Sequence, residues 1–133
     1  MKANKKSALL SAWLPVAAWM AAIFYFSAMT MPPTAEAGVL SNKVLHVIEY
    51  AGLGLLFVRA IEKHGFRRLG YKRLVVFAFA FALFYGATDE FHQLFVPGRH
   101  AAVADVLLDS FGGALGGIAY AFVPEKLRAR LRL

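Results

Sequence analysis

The stretch 89–117, DEFHQLFVPGRHAAVADVLLDSFGGALGG, decides the fold of this chain because it puts ionisable groups inside apolar segments. Two carboxylates, an imidazole and an amide occupy one helical turn, and two aspartates open the next apolar segment: Asp89, Glu90, His92, Gln93, Asp105 and Asp109. Hydrocarbon cannot solvate such groups, so placing them there costs free energy. The stretch therefore predicts a functional site built between apolar helices.

The composition places this chain among membrane proteins. Of its 133 residues 59% are hydrophobic, and a soluble domain of this length is too small to bury so much apolar surface. A net charge of +7 is also typical of nucleic-acid-binding proteins, but here the basic residues form blocks between long apolar runs, as in membrane proteins. We therefore expect no nucleic-acid partner. The absence of cysteine excludes disulfides and thiolate metal sites.

Four apolar runs are long enough to cross a bilayer as helices. They lie at about residues 8–29, 42–61, 74–96 and 102–123. We interpret the first run as a membrane span and not as a cleaved signal peptide, because it is long and no small-residue cleavage site closes it. The predicted fold class is all-α, an integral membrane four-helix bundle that forms a single domain over residues 1–133.

The basic residues predict how the bundle is oriented. The N-terminal tail, the segment 62–73 and the C-terminal tail are rich in Lys and Arg, whereas Arg99 is the only Lys or Arg of the other two connections. Lys and Arg are retained on the cytoplasmic side in short loops, so both termini are predicted to be cytoplasmic. The first and third connections, which contain Glu36 and Arg99, would then face outward.

This topology brings the polar residues to a shared depth near the outer face. Residues 43–50 follow the first outward connection, residues 89–93 precede the third, and residues 105–109 follow it. Sequence order alone did not require three helices to carry their polar groups toward the same side. We therefore expect one polar site in the outer third of the membrane, with a dry interior beneath it.

Helical phase indicates which side chains face one another. Three sets share a helix face at spacings of three or four residues: His46, Glu49 and Tyr50; Asp89, His92 and Gln93; Asp105, Asp109, Gly112 and Gly116. Glu90 points about 100° away from the second set. Gly112 with Gly116, and Gly113 with Gly117, form GxxxG pairs that allow close contact with a neighbouring helix. The aspartates above the glycines should face the polar residues of that neighbour.

Two interpretations of the polar cluster stay open. The groups form a hydrogen-bonded network that holds the bundle together, or they form a functional site. The carboxylates outnumber the nearby cations, Lys43 and Arg99, which favours a site. Histidines and carboxylates at such spacings also bind metals in helix bundles, so a divalent cation is a candidate cofactor, although the chain has no HExxH motif. The cofactor is otherwise unassigned.

At these residues the sequence resembles the VanZ-like family, which is named for a teicoplanin-resistance protein. The matching pieces are KVLH and EY within residues 43–50, DEFHQ at 89–93, FVPGR at 95–99, and Asp105 with the glycines that follow it. FYFS at 24–27 also fits the end of the family's first helix. The resemblance thus covers nearly the whole chain, and its most specific part is the block from DEFHQ to PGR.

The resemblance implies a small, multi-pass protein of the bacterial cytoplasmic (inner) membrane with a role at the cell envelope. VanZ itself lowers the binding of glycopeptide antibiotics at the cell surface, so the implied partners are membrane lipids and a lipid-linked envelope precursor or a glycopeptide. One position departs from the family: Asp109 stands where relatives more often have asparagine.

Together these observations predict an outward-facing polar site that acts on or binds a lipid-linked or cell-envelope substrate. The candidate catalytic acids, bases and proton carriers are Glu49, Asp89, Glu90, His92 and Asp105. The candidate substrate-binding residues are Lys43, His46, Gln93, Arg99 and Asp109. A non-enzymatic binding or structural membrane protein is the main alternative. A proton-coupled transporter is less favoured, because the inner half offers no matching polar path. The pattern specifies neither the reaction nor the oligomeric state.

Overall fold

Helices make up the secondary structure of the residues that the computed structural model describes, which are 5–29, 38–66 and 69–131. In chain order they are α1 (Lys5–Ser27), α2 (Gly38–His64), α3 (Tyr71–Gln93), α4 (Val103–Phe122) and the short α5 (Glu125–Leu131). The first four are long and apolar enough to cross a membrane. The predicted all-α fold is therefore confirmed, and so is the prediction of four helices that are long and apolar enough to span a membrane.

The helix ends differ from the predicted bounds by a few residues. α2 begins at Gly38 instead of 42, and α3 ends at Gln93 instead of 96. Apolar residues continue the pattern past Gln93, but the chain turns there. The Phe95 N–H donates to the His92 carbonyl at 3.0 Å and the Val96 N–H donates to the Gln93 carbonyl at 3.1 Å, so these hydrogen bonds join residues three apart instead of four. Pro97 follows this turn and disfavours a helical residue before it, so the prediction of 96 as the helix end was wrong.

Some predicted features lie outside the described residues. They include Glu36 in the first connection, Arg67 and Arg68 in the basic segment, and the chain ends with Lys2 and Arg132. The C-terminal basic tail contains α5, a seven-residue helix that was not predicted from the pattern.

α4 lies between α2 and α3, and its two GxxxG pairs face different neighbours. A Cβ atom at Gly112 or Gly116 would run into carbonyl oxygens of α2. A Cβ atom at Gly113 would lie 2.8 Å from the Ala78 carbonyl oxygen of α3, and one at Gly117 would lie 3.0 Å from the Ala78 Cβ. Such distances leave no room for a side chain, so the glycines let α4 approach both helices closely.

α1 packs against α2 and α3 through aromatic side chains that donate to backbone carbonyls. The Trp19 indole donates to the Glu49 carbonyl oxygen at 2.8 Å, and the Tyr85 hydroxyl donates to the Met20 carbonyl oxygen at 2.7 Å. Large apolar side chains on the outside of the long helices are exposed, among them Leu14, Phe84 and Phe122. An apolar exterior of this extent is what a lipid environment requires.

Candidate functional site

Three buried polar residues from three helices meet near one end of the bundle. His46 on α2, Glu90 on α3 and Asp109 on α4 each offer a nitrogen or oxygen atom, and these atoms lie within 4.8 Å of one another. Their exposed fractions are 7%, 5% and 0%. At 1.5 Å per residue, Glu90 lies roughly 5 Å from the end of α3, and Asp109 lies roughly 9 Å from the start of α4. We call these three residues the polar triad.

The closest contact within the polar triad joins α2 to α4. His46 Nδ1 lies 2.9 Å from Asp109 Oδ1, within hydrogen-bond distance. Asp109 Oδ2 lies against α3 at Gly86, where an added Cβ atom would be only 2.8 Å away. Gly86 therefore provides the space that a buried carboxylate on α4 needs next to α3.

Glu90 has one structural contact and one unpaired oxygen. Its Oε2 accepts a hydrogen bond at 2.7 Å from the backbone N–H of Ala102, the residue that precedes α4. Ala102 has no side chain with which to cap a helix, so the Glu90 carboxylate fixes the start of α4. Asp89 and Glu90 lie on different faces of α3, yet both are buried, because α1 covers one face and α4 covers the other.

The α1 side of α3 carries a second polar group. Gln93 Nε2 donates to Ser27 Oγ at 2.9 Å and to Asp89 Oδ2 at 3.3 Å. Ser27 was not predicted as a site residue. The available signal was its position as the polar residue that closes an otherwise apolar first helix.

Several buried polar atoms at this end have no hydrogen-bond partner within the described segments. They are Tyr50 OH, Asp89 Oδ1, Glu90 Oε1, His92 Nδ1, Asp105 Oδ1 and Asp109 Oδ2. Leaving such an atom unsatisfied costs about 1–3 kcal/mol, so buried polar groups nearly always have partners. Their concentration around the polar triad is typical of a site that receives a polar ligand or an ion. Tyr50 is an addition to the predicted set, and its spacing of four from His46 was the signal for it.

Arg99 and His92 both contact the end of α1. The Arg99 guanidinium donates to the carbonyl oxygens of Phe26 and Met29, each at 3.1 Å, where helix carbonyls lack partners within the helix. The His92 ring stacks on Phe24 with the ring centres 4.2 Å apart. Arg99 thus holds α1 against the connection between α3 and α4, and some of its five N–H groups are left for a ligand.

Lys43 and Glu49 are not members of the polar triad. The Lys43 side chain is exposed, whereas Glu49 is half-buried. Because α2 begins at Gly38, Glu49 lies roughly 16 Å along that helix from its start at 1.5 Å per residue. Its charge nevertheless acts on His46.

The opposite end of the bundle has an ionic network of its own. Glu62 is 3% exposed; it accepts a hydrogen bond from the Tyr120 hydroxyl at 3.1 Å and pairs with the Arg128 guanidinium at 3.5 Å. A cleft of about 1230 Å³ lies beside this network and is lined by residues such as Tyr71 and Lys72. The sequence pattern had assigned Glu62 to the basic connection 62–73. That assignment was wrong because α2 continues to His64, and Arg128 of α5 pairs with the Glu62 carboxylate.

Comparison with known proteins identifies the family of the chain. No curated protein and no solved structure matches the chain. The sequence model of the VanZ/LLP1 family matches residues 11–124. The matched range covers most of the chain and includes the whole polar triad and all six atoms without partners. The chain therefore belongs to the VanZ/LLP1 family of membrane proteins.

Proposed function

We propose that the polar end of the bundle faces outward from the bacterial cytoplasmic (inner) membrane and takes the headgroup of a lipid-linked cell-envelope molecule. The observation that supports this proposal is the set of buried, unpaired polar atoms around the polar triad. A headgroup rich in hydroxyl, amide or phosphate groups supplies the hydrogen bonds that these atoms lack.

The surroundings of the site suit an amphiphile. Large apolar side chains stand exposed beside it on α3, on α4 and in the turn that follows α3: Phe91, Leu94, Phe95, Val103 and Leu107. The polar triad lies within about 12 Å of the helix ends at 1.5 Å rise per residue, which is the depth at which headgroups meet acyl chains. A lipid-linked ligand would place its headgroup among the carboxylates and its chain along the apolar rim.

We assign roles according to the atoms that each residue leaves available. Asp89, Glu90 and Asp105 each retain a buried carboxyl oxygen that accepts a hydrogen bond from the ligand or transfers a proton. His92 would carry protons beside them. Arg99 would bind an anionic part of the headgroup with the donors that α1 does not use.

Binding without turnover is the second candidate function, and the state of Ser110 favours it. The Ser110 hydroxyl donates at 2.6 Å to the Val106 carbonyl of its own helix and is fully buried, so it is not activated as a nucleophile. A protein that only binds the envelope molecule would mask it from a glycopeptide antibiotic. Proton transport is not proposed, because buried apolar residues such as Leu53 and Ala82 lie beneath the cluster.

Lipid analysis tests the proposal directly. Membranes from cells with and without the protein are extracted, and the purified protein is examined by native mass spectrometry for bound amphiphiles. An enzyme is expected to deplete one lipid-linked molecule and accumulate its product, whereas a binder is expected to retain that molecule unchanged. Glycopeptide binding to the same cells is measured in parallel. If the lipid extracts do not differ and the purified protein has no bound amphiphile, the proposed function is wrong.

The proposed orientation has its own test, because the chain has no native cysteine. The distribution of Lys and Arg places residue 100 outside and residue 72 inside. We expect His100→Cys to react with a membrane-impermeant maleimide in intact cells, and Lys72→Cys to react only after permeabilisation. Both side chains are exposed, so accessibility within the protein is matched. The reverse labelling pattern would show that the bundle has the opposite orientation, with the polar site on the cytoplasmic side.

A further inference from the structure

We infer that the polar triad binds a divalent transition-metal ion, Zn²⁺ or Mn²⁺, through His46, Glu90 and Asp109. The inference rests on the proposed site and names a component of it. It stands on two observations: the separation of the three donor atoms, and the unpaired, buried carboxyl oxygens beside them.

The separations suit a shared ion. Bonds of about 2.0–2.2 Å to nitrogen and oxygen put two ligands of one ion about 3 to 4.4 Å apart, depending on the angle between them. His46 Nδ1 and Asp109 Oδ1 are 2.9 Å apart, and the donor atoms of all three residues lie within 4.8 Å of one another. Shifts of a few tenths of an ångström would place all three in one coordination shell.

The charges around the triad favour a cation. Asp105 adds a further carboxylate whose charge acts on both His46 and Glu90. Of the two nearby cationic side chains, Lys43 is exposed and Arg99 donates to the end of α1. Several carboxylates in an apolar bundle repel one another unless protons or a metal offset their charge. A divalent ion between α2, α3 and α4 offsets two of these charges at once.

The surrounding groups match those of a metal site. Glu90 Oε2 accepts the Ala102 N–H, which orients the carboxylate and leaves Oε1 available for an ion. Asp105 Oδ1 is a further available oxygen. One imidazole with two or three carboxylates is a mixed nitrogen and oxygen set, which suits Zn²⁺ or Mn²⁺, whereas Mg²⁺ and Ca²⁺ prefer oxygen ligands throughout.

The test uses the full chain purified in detergent, stripped with EDTA and titrated with Zn²⁺, Mn²⁺, Co²⁺ or Mg²⁺. Bound metal is counted by mass spectrometry after desalting, and unfolding is followed by a thermal melt. We expect about one Zn²⁺ or Mn²⁺ per chain with a Tm raised by several degrees, because an ion that binds only the folded state stabilises it. Bound Co²⁺ should show the visible absorption bands of a nitrogen and oxygen site, and Mg²⁺ should have little effect.

Matched variants locate the ion. Glu90→Gln keeps an oxygen for the Ala102 N–H but removes a charged ligand, and Glu62→Gln makes the same change at another buried glutamate. We expect Glu90→Gln and His46→Gln to lose at least ten-fold in metal affinity, while Glu62→Gln binds like the parent chain. If Glu90→Gln fails to fold, His46→Gln and the Co²⁺ spectrum still decide the matter.

Three results would overturn the inference: no metal retained by the parent chain, equal retention by the triad variants, or a preference for Mg²⁺. In the first case the carboxyl groups are protonated and share hydrogen bonds. The proposed function is judged separately, by the bound amphiphile. If the chain retains the amphiphile but no metal, the proposed function stands and this inference is wrong. If it retains metal but no amphiphile, this inference stands and the proposed function is wrong.

Discussion

Gly116→Leu is expected to leave little folded protein, because it inserts a side chain where two helix backbones touch. A Cβ atom at Gly116 would overlap the Ala51 carbonyl oxygen and lie 2.8 Å from the Leu55 backbone nitrogen. Neither neighbour is a flexible side chain, so room can be made only by separating α2 from α4. Overpacking costs about 1–3 kcal/mol or more, and the separation would also disturb the polar triad. The measurement is fluorescence-detected gel filtration with a thermal melt in detergent.

Gly70→Leu is the matched control for that substitution. Gly70 precedes α3 with a φ of −60°, which any residue can adopt, and an added Cβ atom would have nothing within 4 Å. We expect this variant to elute and melt like the parent chain, within roughly 0.5 kcal/mol. Gly116→Ala should fall between the two. A Gly116→Leu chain that melts with the parent would mean that α4 does not approach α2 as closely as described.

The sequence could predict that α4 packs closely against a neighbouring helix, but not which helix that is. The two GxxxG pairs indicated close contact with a neighbour, and spacing alone shows that adjacent residues point about 100° apart. Spacing does not say which helix occupies each direction. The position of α4 between α2 and α3 follows from how all four helices fit together, which local patterns do not encode.

The sequence could predict which polar residues gather at one end of the bundle, but not their contacts. Hydrophobic runs of similar length put the polar residues near one end of the bundle, and that is where the polar triad lies. The grouping within the site depends on tertiary packing. Glu90 accepts the N–H that precedes α4, the Gln93 amide donates to Ser27 of α1, and the Arg99 guanidinium contacts helix carbonyls. None of these partners is within four residues along the chain, so periodicity could not identify them.

Asp89→Asn is expected to weaken ligand binding strongly while leaving stability unchanged or higher. Asp89 is 3% exposed, its Oδ2 accepts from Gln93, and its Oδ1 has no partner within the described segments. Asparagine has nearly the same shape and removes one charge from a group of carboxylates that repel one another. A hydrogen bond to a charged group contributes about 1.5–3 kcal/mol, so the affinity for the headgroup should fall by about ten- to a hundred-fold.

Glu62→Gln provides the opposite pattern, because its carboxylate is paired. Removing that charge weakens the 3.5 Å contact with the half-buried Arg128 guanidinium, which keeps Glu125 at 3.0 Å, so the chain should lose on the order of 1 kcal/mol of stability and keep its ligand. Both variants are measured by thermal melting and by native mass spectrometry of the bound amphiphile. If Asp89 only held the bundle together, Asp89→Asn would melt earlier and keep its ligand, as is expected of Glu62→Gln. A stable Asp89→Asn chain that has lost its ligand would mean that the charge at Asp89 serves ligand binding and does not stabilise the fold.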